Sequence, residues 1–426
     1  MKKLICFILS LFLMVGIFNF VAIAEETNPL GDVNDNGIVE TNDLLLARKR
    51  VANLITNLDV NRDNLDVNTD GKLTAIDVLS IRQHLVKKKV IDTPDVMFIS
   101  SLKNCLNLYG RGQYADDKRS VLLSQTASGF EFKANCKGNL KINLVTSIQG
   151  KLNVTVDDDF DNAFEINVNS SITKYEIPTN LAYGEHTFLI QKATEHSRNA
   201  RYEITSVNFD GSPCKDKPKE SEKRIEFYGD SITSGEGNLV KNGSSAQAWE
   251  AQNGCKTYAS FIAHSLGADY AVASSAGHGV LGGWNNLTSK LSNYSEYSLV
   301  DEKTPWSRAD YDADLIIINM GTNDNVRDGK NLDIENYTNA CSELVEKMRA
   351  DNPDVEILWV IGMMKVDDDM PIISALKALD EKYDYVRFHK LEAKQSGGNS
   401  HPTVEEHRFH AQKTLEKINE FYPDMF

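Results

Sequence analysis

The chain has 426 residues, of which 41% are hydrophobic and 25% are charged, and its formal net charge at pH 7 is −15. A chain of this length predicts several domains, each long enough to bury a core of its own. The acidic excess argues against nucleic acid or an anionic membrane as a partner, because both are polyanions, and it suits a neutral substrate or bound cations.

The first 24 residues are typical of a secretory signal peptide. Two lysines precede an apolar stretch that ends at Phe20, and Ala24 closes a run of small residues at the spacing of a cleavage site. A membrane anchor is the weaker alternative, because the apolar stretch is short and Asn19 interrupts it. We therefore expect cleavage after Ala24 and a secreted, extracellular protein.

Residues 28–90 contain an internal repeat in which the loop 32–43 recurs as the loop 66–77. Each copy places oxygen-bearing side chains at loop positions 1, 3, 5 and 12 around a glycine at position 6, and position 7 offers its backbone carbonyl. Each loop continues into an apolar-periodic stretch, which predicts an exiting helix. We expect two structural calcium ions, with the ligands Asp32, Asn34, Asn36, Ile38, Asp43, Asp66, Asn68, Asp70, Lys72 and Asp77.

The duplicated loop and helix resembles a dockerin, the small α-helical module that attaches enzymes to the cohesin domains of a cellulosomal scaffold. The resemblance covers the whole segment and implies calcium binding and a cohesin partner. It also implies that loop positions 10 and 11 help to select the cohesin, and these positions hold Thr41-Asn42 and Ala75-Ile76. The two docking faces therefore differ. Asn36 stands where an aspartate is more usual, which would weaken the first calcium site.

Residues 95–210 are predicted to form a jelly-roll-like β-sandwich. Six short, often alternating runs are separated by turns rich in Gly, Asn and Asp, at 140–145, 151–156, 163–168, 173–177, 186–191 and 201–207. The segment is either a carbohydrate-binding module or a structural spacer, and the lack of an aromatic platform in its sequence favours the spacer. The polar, charged stretch 211–224 is predicted to be a linker.

Residues 225–426 alternate predicted strands and helices, which indicates a three-layer α/β fold with a parallel sheet. Apolar runs predict strands at 224–228, 268–273, 314–320 and 355–362. Helical periodicity predicts helices at 258–266, 337–349, 371–383 and 404–420. Ligands of such folds bind beyond the carboxyl ends of the strands, so residues just after a strand are the candidates for a site.

Three residues in such positions have side chains that are suited to catalysis. Ser231 follows the first strand in a Gly-Asp-Ser sequence, Asn323 follows a later strand, and His401 lies on a loop before the last helix. In this order they resemble the signature blocks of the SGNH (GDSL) hydrolase superfamily, with Gly277 or Gly279 as the remaining glycine and Gly277 preferred. The resemblance implies that His401 removes the proton from Ser231, the nucleophile that attacks an ester carbonyl and forms an acyl-enzyme.

The same resemblance implies an oxyanion hole. Its donors would be the backbone N–H groups of Ser231 and Gly277 and the side-chain amide of Asn323. No cofactor is expected for catalysis.

A more specific resemblance covers the chain from about residue 100 to the C-terminus. A β-sandwich directly before an SGNH domain is similar to carbohydrate esterase family 2, and the matching motifs are Tyr109-Gly110-Arg111, His186-Thr187 and Lys192-Ala193-Thr194-Glu195. Family members remove acetyl groups from plant polysaccharides such as xylan and mannan. By its place in this pattern Trp284 is a candidate sugar-binding platform, and a buried core tryptophan is the alternative.

One position departs from the superfamily pattern. The acid that usually stands three residues before the histidine is replaced by Gly398, and Asn399 occupies the next position. A Ser–His dyad in which a backbone carbonyl orients His401 is therefore expected, because Glu405 and Glu406 follow on a helical turn that aims them elsewhere. The nearby histidines 407 and 410 are expected to have packing or surface roles and not to bind zinc.

The leading hypothesis is a secreted cellulosomal esterase that removes O-acetyl groups from the hemicelluloses of the plant cell wall. An SGNH lipase or thioesterase is one alternative, and the dockerin and β-sandwich argue against it. A catalytically weak carbohydrate-binding or docking protein is another. The joint presence of Ser231, Asn323 and His401 argues against that reading.

Overall fold

The computed structural model describes residues 30–36, 38–55, 60–68, 72–86, 96–102, 104–195, 201–246, 248–284, 288–300, 303–325 and 332–426. The chain divides into two compact units, one N-terminal to Thr93 and one from Pro94 onward. The predicted signal peptide and the calcium-ligand candidate Asp70 lie outside the described residues. In the part of the chain that is described, no helix is long and apolar enough to cross a membrane.

Among its described residues, the N-terminal unit has the helices α1 (Thr41–Val51), α2 (Arg62–Leu65) and α3 (Ala75–Leu85). The two long helices each follow one of the repeated loops, as the sequence predicts. Their apolar faces meet around a small core of Val33, Ala47, Val60, Leu65, Val67 and Ile81.

The second unit begins with an antiparallel sheet of nine strands in the order β3-β4-β9-β5-β8-β6-β7, with β1 paired to β9 and β2 paired to β5. A short helix, α4 (Ile99–Leu102), follows the first strand. The strands are β1 (Val96–Phe98), β2 (Leu106–Tyr109), β3 (Gln113–Tyr114), β4 (Val121–Leu123), β5 (Gly129–Thr146), β6 (Gly150–Val156), β7 (Phe164–Val168), β8 (Lys174–Lys192) and β9 (Tyr202–Pro213).

These strands differ from the predicted β-sandwich in their length and connection. The predicted runs 173–177 and 186–191 belong to one strand, β8, because the polar residues between them pair with β5 instead of forming a turn. The register of β5 on β8 shifts between Cys136 and Leu140, and such irregularities let long strands bend. All nine strands therefore belong to one continuous hydrogen-bonded sheet.

The stretch 211–224, predicted as a linker, packs against the rest of the unit. Strand β9 extends to Pro213, which pairs with Ala134 of β5. The N–H of Cys214 then donates to the carbonyl of Lys133 at 2.9 Å. The carbonyl of Pro218 accepts a hydrogen bond from Asn107 at 2.8 Å. The strands and the following α/β part are thus joined by an ordered segment.

The C-terminal part has a five-stranded parallel sheet in the order β11-β10-β14-β15-β16. Its strands are β10 (Arg224–Gly229), β11 (Asp269–Ser274), β14 (Leu315–Asn319), β15 (Glu356–Ile361) and β16 (Val386–Lys390), with a two-stranded ribbon of β12 (Tyr297–Leu299) and β13 (Thr304–Pro305) outside it. The helices are α5 (Ser231–Ser234), α6 (Tyr258–Leu266), α7 (Arg308–Tyr311), α8 (Thr322–Asn325), α9 (Ile334–Asp351), α10 (Pro371–Lys382) and α11 (Val404–Phe421).

The predicted three layers are confirmed by the way the two faces of this sheet are covered. Alternate residues of each strand point to opposite faces, and both sets are buried. One face packs with α9 and α10 in a core that includes Tyr228, Ile316, Ile318, Trp359, Tyr337, Val345 and Leu376. The other face packs with α6 and α11 in a core that includes Ile225, Phe227, Ile317, Leu358, Tyr258, Ile262 and Ile418.

The antiparallel sheet and the α/β part share a buried polar contact. Arg111, which follows β2 and is 1% exposed, donates hydrogen bonds to the carbonyls of Ser295 and Tyr297 at 2.7 and 3.1 Å. It also donates to the hydroxyl of Tyr228 on β10 at 3.0 Å. A buried guanidinium needs such partners, so this contact fixes the β-sheet against the parallel sheet.

Candidate active site

Ser231 and His401 meet at the carboxyl edge of the parallel sheet. Strand β10 ends at Gly229, and Ser231 is the first residue of the short helix α5. His401 follows a tight turn and precedes α11. The Nε2 atom of His401 lies 2.7 Å from Oγ of Ser231, and both side chains are largely buried. A hydroxyl at this distance from an imidazole nitrogen can transfer its proton to the ring.

Three predicted residues flank the point where the strand order reverses. The chain passes from β10 to β11 on one side and then returns to β14 on the other side. Ser231 follows β10, Gly277 follows β11 and Asn323 follows β14. The crevice at such a reversal is where open α/β sheets bind their ligands.

Asn323 ties the serine turn to the loop after β11. Its Nδ2 group donates to Oδ2 of Asp230 at 3.0 Å and to the carbonyl of His278 at 2.9 Å. Asp230 also accepts the N–H of Ile232 at 3.0 Å and so caps α5. Burial raises the pKa of Asp230 to about 7. Both N–H groups of the Asn323 amide therefore already donate hydrogen bonds within the protein.

The backbone N–H groups of Ser231 and Gly277 remain available as hydrogen-bond donors. Within the described residues, neither Ser231 nor Gly277 has a hydrogen-bond acceptor for its backbone N–H. Gly277 has a φ of +73°, and a Cβ atom added there would meet no atom within 4 Å. The alternative glycine, Gly279, donates its N–H to the carbonyl of Ser289 at 3.2 Å. Gly277 is therefore the glycine whose N–H has no acceptor in the described part of the chain.

A backbone carbonyl, not a carboxylate, contacts the other ring nitrogen of His401. The carbonyl oxygen of Asn399 lies 3.1 Å from Nδ1, and since a carbonyl only accepts, Nδ1 carries the proton. This leaves Nε2 as the acceptor for the hydroxyl of Ser231. The Oε2 atom of Glu406 accepts the N–H groups of Ser396 and Thr403, so this carboxylate caps α11 and does not orient the imidazole.

The acid that is missing three residues before His401 has no room in this loop. A Cβ atom on Gly398 would lie 2.8 Å from Cγ2 of Val240 and 3.1 Å from Cα of Gly237. The N–H of Gly398 donates to the carbonyls of Gly237 and Val240 at 2.9 and 3.0 Å. The backbone at Gly398 thus passes close to the backbone at Gly237, and this close approach requires a glycine at position 398.

Comparison with known proteins agrees with this architecture. Residues 227–393 match the GDSL-like lipase/acylhydrolase family, and residues 30–86 match the dockerin type I domain. The chain carries a dockerin domain and a GDSL-like acylhydrolase domain. Each match lies within the unit that the sequence analysis assigned to it.

Two curated relatives each match more than half of the chain. Cellulase/esterase CelE of Acetivibrio thermocellus is 25% identical over 264 residues, which is 59% of this chain and 32% of the relative. An acetylxylan esterase/glucomannan deacetylase of Cellvibrio japonicus is 24% identical over 247 residues, 56% of this chain and 67% of that protein. The chain thus spans about a third of the length of the first relative.

A solved structure shares the fold of the second unit. A family two carbohydrate esterase from Clostridium thermocellum, in complex with cellohexaose, aligns with a TM-score of 0.66 and 21% identity, over 74% of this chain and 98% of that one. The β-sheet and the acylhydrolase domain together therefore have the fold of a family two carbohydrate esterase.

Three acidic residues near the site were not singled out from the sequence. Asp324, next to Asn323, accepts the N–H groups of Val280, Leu281 and Gly282 at 2.9, 2.8 and 3.3 Å and holds the loop that carries Gly277. The other two are Glu236, whose Oε2 atom lies 3.8 Å from Nε2 of His401, and Glu195, whose Oε2 atom contacts Ser234. Glu195 is part of the quoted motif Lys192-Ala193-Thr194-Glu195, and that motif was the available signal. Glu236 lies in none of the quoted motifs, so no local signal indicated its role.

Glu195 reaches the acylhydrolase domain from the loop after β8. Its Oε2 atom accepts the N–H of Ala276 at 2.9 Å and the hydroxyl of Ser234 at 3.4 Å. The fully buried Lys192 holds the same loop, since its Nζ donates to the carbonyls of Thr194 and Glu195 at 2.6 and 2.5 Å. Burial lowers the pKa of Lys192 to about 7 and raises the pKa of Glu195. The β-sheet thus contributes a contact one residue before Gly277.

Trp284 lies on the surface of the loop that contains Gly277. Its side chain is 54% exposed, so the alternative of a buried core tryptophan is wrong. The N–H of Trp284 donates to the carbonyl of Gly277 at 3.0 Å, which fixes the backbone of the tryptophan to this loop. An exposed indole at the edge of a site can stack on the apolar face of a sugar ring.

The two histidines of α11 have packing roles. His407 is fully buried and accepts the N–H of Tyr258 at 3.3 Å, and burial lowers its pKa well below the usual value. His410 contacts the carbonyl of Lys394 at 3.2 Å. Across the described ranges, no group of three or more His, Cys, Asp or Glu side chains is arranged to hold a metal ion.

The first loop of the dockerin domain has a donor set of oxygens. The buried Asp43 accepts the N–H groups of Val33, Asn34 and Glu40 at 2.8, 3.1 and 2.7 Å and so closes the loop. Asp32, also buried, accepts the N–H of Asn36 at 3.1 Å. Two carboxylates, two side-chain amides and a carbonyl suit calcium, which takes oxygen ligands.

The second loop repeats this arrangement where it is described. The buried Asp77 accepts the N–H of Thr74 at 2.8 Å and the N–H of Asn68 at 3.4 Å. Asp77 thus occupies the position of Asp43 at the start of its own helix. Dockerin type I domains bind calcium, and the oxygen-bearing residues of the first loop fit that ion.

Proposed function

We propose that the protein is an extracellular carbohydrate esterase that removes O-acetyl groups from hemicellulose, such as acetylated xylan or mannan, and joins a cellulosome through its dockerin domain. The observation that carries the proposal is the hydrogen bond of 2.7 Å between Ser231 and His401. The backbone N–H groups of Ser231 and Gly277, which have no acceptor in the described part of the chain, also support it.

Acylation begins when Nε2 of His401 takes the proton of Ser231 as Oγ attacks the acetyl carbonyl carbon. The carbonyl oxygen becomes an oxyanion, which the N–H groups of Ser231 and Gly277 stabilise. The C–O bond to the sugar then breaks, and the sugar oxygen takes the proton from His401. The products of this step are the free sugar hydroxyl and an acetyl-enzyme.

Deacylation repeats these roles with water. His401 takes a proton from a water molecule, whose oxygen attacks the acetyl carbonyl carbon. The bond to Oγ breaks, Ser231 regains its proton from the imidazolium, and acetate leaves. The carbonyl of Asn399 keeps the proton on Nδ1 in both steps, so that Nε2 always faces the reacting oxygen.

The main role of Asn323 is to connect the segments that form the site. An N–H of its amide would have to leave the carbonyl of His278 to reach the oxyanion. In the arrangement described here it fixes Asp230, which caps the helix of the nucleophile, and the loop that follows Gly277. We therefore assign stabilisation of the oxyanion primarily to the backbone N–H groups of Ser231 and Gly277. The side-chain amide of Asn323 is a third, secondary donor.

The relatives and the site support a polysaccharide substrate. The Cellvibrio japonicus relative is named an acetylxylan esterase and glucomannan deacetylase. Trp284 offers an exposed indole on the loop of Gly277, where it can stack on a sugar ring next to the ester. The net charge of −15 suits a neutral polymer better than an anionic lipid surface.

The assay that tests this proposal measures acetate release by the purified protein from acetylated xylan, acetylated glucomannan and 4-nitrophenyl acetate. We expect activity on the small ester and on at least one polysaccharide, and no activity from Ser231→Ala. Activity on long-chain acyl or thioester substrates alone would favour a lipase or thioesterase. Binding to polysaccharide without any turnover would favour a carbohydrate-binding protein.

The predicted signal peptide supports secretion, and the dockerin domain supports a cohesin partner. Removing calcium with a chelator is expected to abolish cohesin binding and to lower the helical content, because the buried carboxylates of Asp32 and Asp43 then lose the charge that balances them. Circular dichroism and a cohesin pull-down measure both effects, and restored calcium should reverse them. Cohesin binding that persists in excess chelator would contradict the prediction. Hydrolysis of 4-nitrophenyl acetate should not change, since the catalytic residues belong to the other unit.

A further inference from the structure

The proposed Ser–His pair has no carboxylate on Nδ1 of the imidazole, because the carbonyl of Asn399 occupies that position. His401 becomes positively charged in each transition state, and a nearby negative charge stabilises that form. The charge need not come from the residue that contacts Nδ1. A carboxylate on another side of the ring has the same electrostatic effect.

Among the described residues, Glu236 is the carboxylate that pairs with the reacting nitrogen of His401. It lies five residues after the nucleophile, and its N–H donates to the carbonyl of Ser231 at 2.9 Å, so its backbone is fixed to the serine turn. Its Oε2 atom is 3.8 Å from Nε2 of His401. The side chain is 23% exposed, so the carboxylate remains in contact with water.

The same carboxylate reaches the opposite side of the ring through a second residue. Its Oε1 atom accepts a hydrogen bond from Nδ2 of Asn399 at 3.0 Å. The backbone carbonyl of that asparagine is the group that accepts the proton of Nδ1. Asn399 has a φ of +52° and sits in a turn, so the hydrogen bond that its side chain donates to Glu236 helps to hold its backbone in that conformation.

We infer that Glu236 is a positioning residue that takes the place of the missing acid: it stabilises the charged form of His401 through space and fixes the carbonyl that orients the ring. The inference rests on the proposed function. It differs from the usual triad in that the carboxylate lies on the side of Nε2 and acts on Nδ1 only through Asn399.

The other titratable groups around the pair are less able to supply this charge. Asp230 and Glu195 are buried, and burial raises the pKa of both, which favours their neutral forms. His407 lies behind the ring on α11, and burial lowers its pKa well below the usual value, so it brings no positive charge. Glu236 is the partly exposed carboxylate of this group.

The test uses Glu236→Gln, which keeps an oxygen for Asn399 and removes only the charge. On 4-nitrophenyl acetate we expect the plateau of kcat/KM to fall about tenfold and the acidic limb of its pH profile to move down by about half to one pH unit. The limb moves down because an imidazole without the nearby anion holds its proton less tightly. A purely structural role would lower the plateau and leave the limb in place, and that result would overturn the inference.

Matched variants separate charge from shape. Glu236→Asp keeps the charge and should keep the limb near its original pH, whereas Asn399→Gly tolerates the positive φ, removes the amide and should lower the plateau alone. Glu405→Gln removes an exposed carboxylate from the start of α11 and should change neither quantity.

A measurement on the unmodified protein does not depend on how the variants fold. Raising the salt concentration screens a partly exposed charge, so the acidic limb should move to lower pH in the original protein and stay fixed in Glu236→Gln. An acidic limb that stays at the same pH in both proteins when the salt concentration rises would also overturn the inference. An original protein without any esterase activity would instead refute the proposed function, so the two failures are distinguishable.

Discussion

Ser231→Ala is expected to lower kcat for an acetyl ester by about 10⁵- to 10⁶-fold, and His401→Ala is expected to cause a loss of similar size. Without Oγ no acetyl-enzyme forms, and without Nε2 the hydroxyl keeps its proton. Because the two atoms, 2.7 Å apart, act as one unit, the double variant should be no slower than either single variant. Steady-state hydrolysis of 4-nitrophenyl acetate, with active-site titration of the original protein, measures these losses.

Ser265→Ala provides the control for this series. This serine is exposed on α6, away from the carboxyl edge of the sheet, and its loss should leave kcat unchanged. Losses that multiply in the double variant would mean that the two residues act in separate steps. Activity that survives Ser231→Ala would assign the nucleophile to another residue.

Gly237→Ala is expected to have the second largest effect, on both stability and turnover. A Cβ atom at this position would lie 2.2 Å from the carbonyl oxygen of Gly398, 2.7 Å from its carbonyl carbon and 2.8 Å from its Cα. All three are backbone atoms, and the φ of +68° adds strain for any residue with a side chain. We expect a loss of about 2–5 kcal/mol in the free energy of unfolding.

The same change should lower kcat about 100-fold, because it displaces the loop that carries His401, and errors of about 1 Å in a catalytic group cost this much. Denaturant unfolding and kcat on 4-nitrophenyl acetate are the measurements. Gly267→Ala is the matched control: its φ is +61°, but no atom lies within 4 Å of an added Cβ, so we expect about 1 kcal/mol and unchanged turnover. Equal effects of the two changes would show that backbone strain, not the crossing with Gly398, limits this position.

Much of the α/β part could be predicted from the sequence, because its buried strands are nearly continuous apolar runs. The four predicted strands and four predicted helices are all present, within a few residues of the expected ends. Strand β16 was missed because it lies at the edge of the sheet, and Arg387, His389 and Lys390 interrupt its apolar pattern. The residues Ser231, Gly277 and Asn323 came from motif order, and the parallel sheet explains why they meet.

The rest depended on contacts between residues that are distant in sequence. Nothing local indicates that Gly398 crosses Gly237, or that this crossing excludes an acid at that position. Likewise Glu236 contacts Asn399 across 163 residues of sequence. In the β part, the turn-like composition between residues 177 and 186 concealed a continuous strand, because pairing with β5 outweighed local preference.

The loop from Lys192 to Glu195 bears on where this protein can be cut or recombined. A fragment that starts at residue 225 would begin almost where the match to the acylhydrolase family begins. It would nevertheless lack Glu195, whose carboxylate accepts the N–H of Ala276. It would also lack Arg111, and so leave the hydroxyl of Tyr228 and two loop carbonyls without that partner. The smallest interchangeable cassette therefore starts near Pro94, and chimaeras should be joined there.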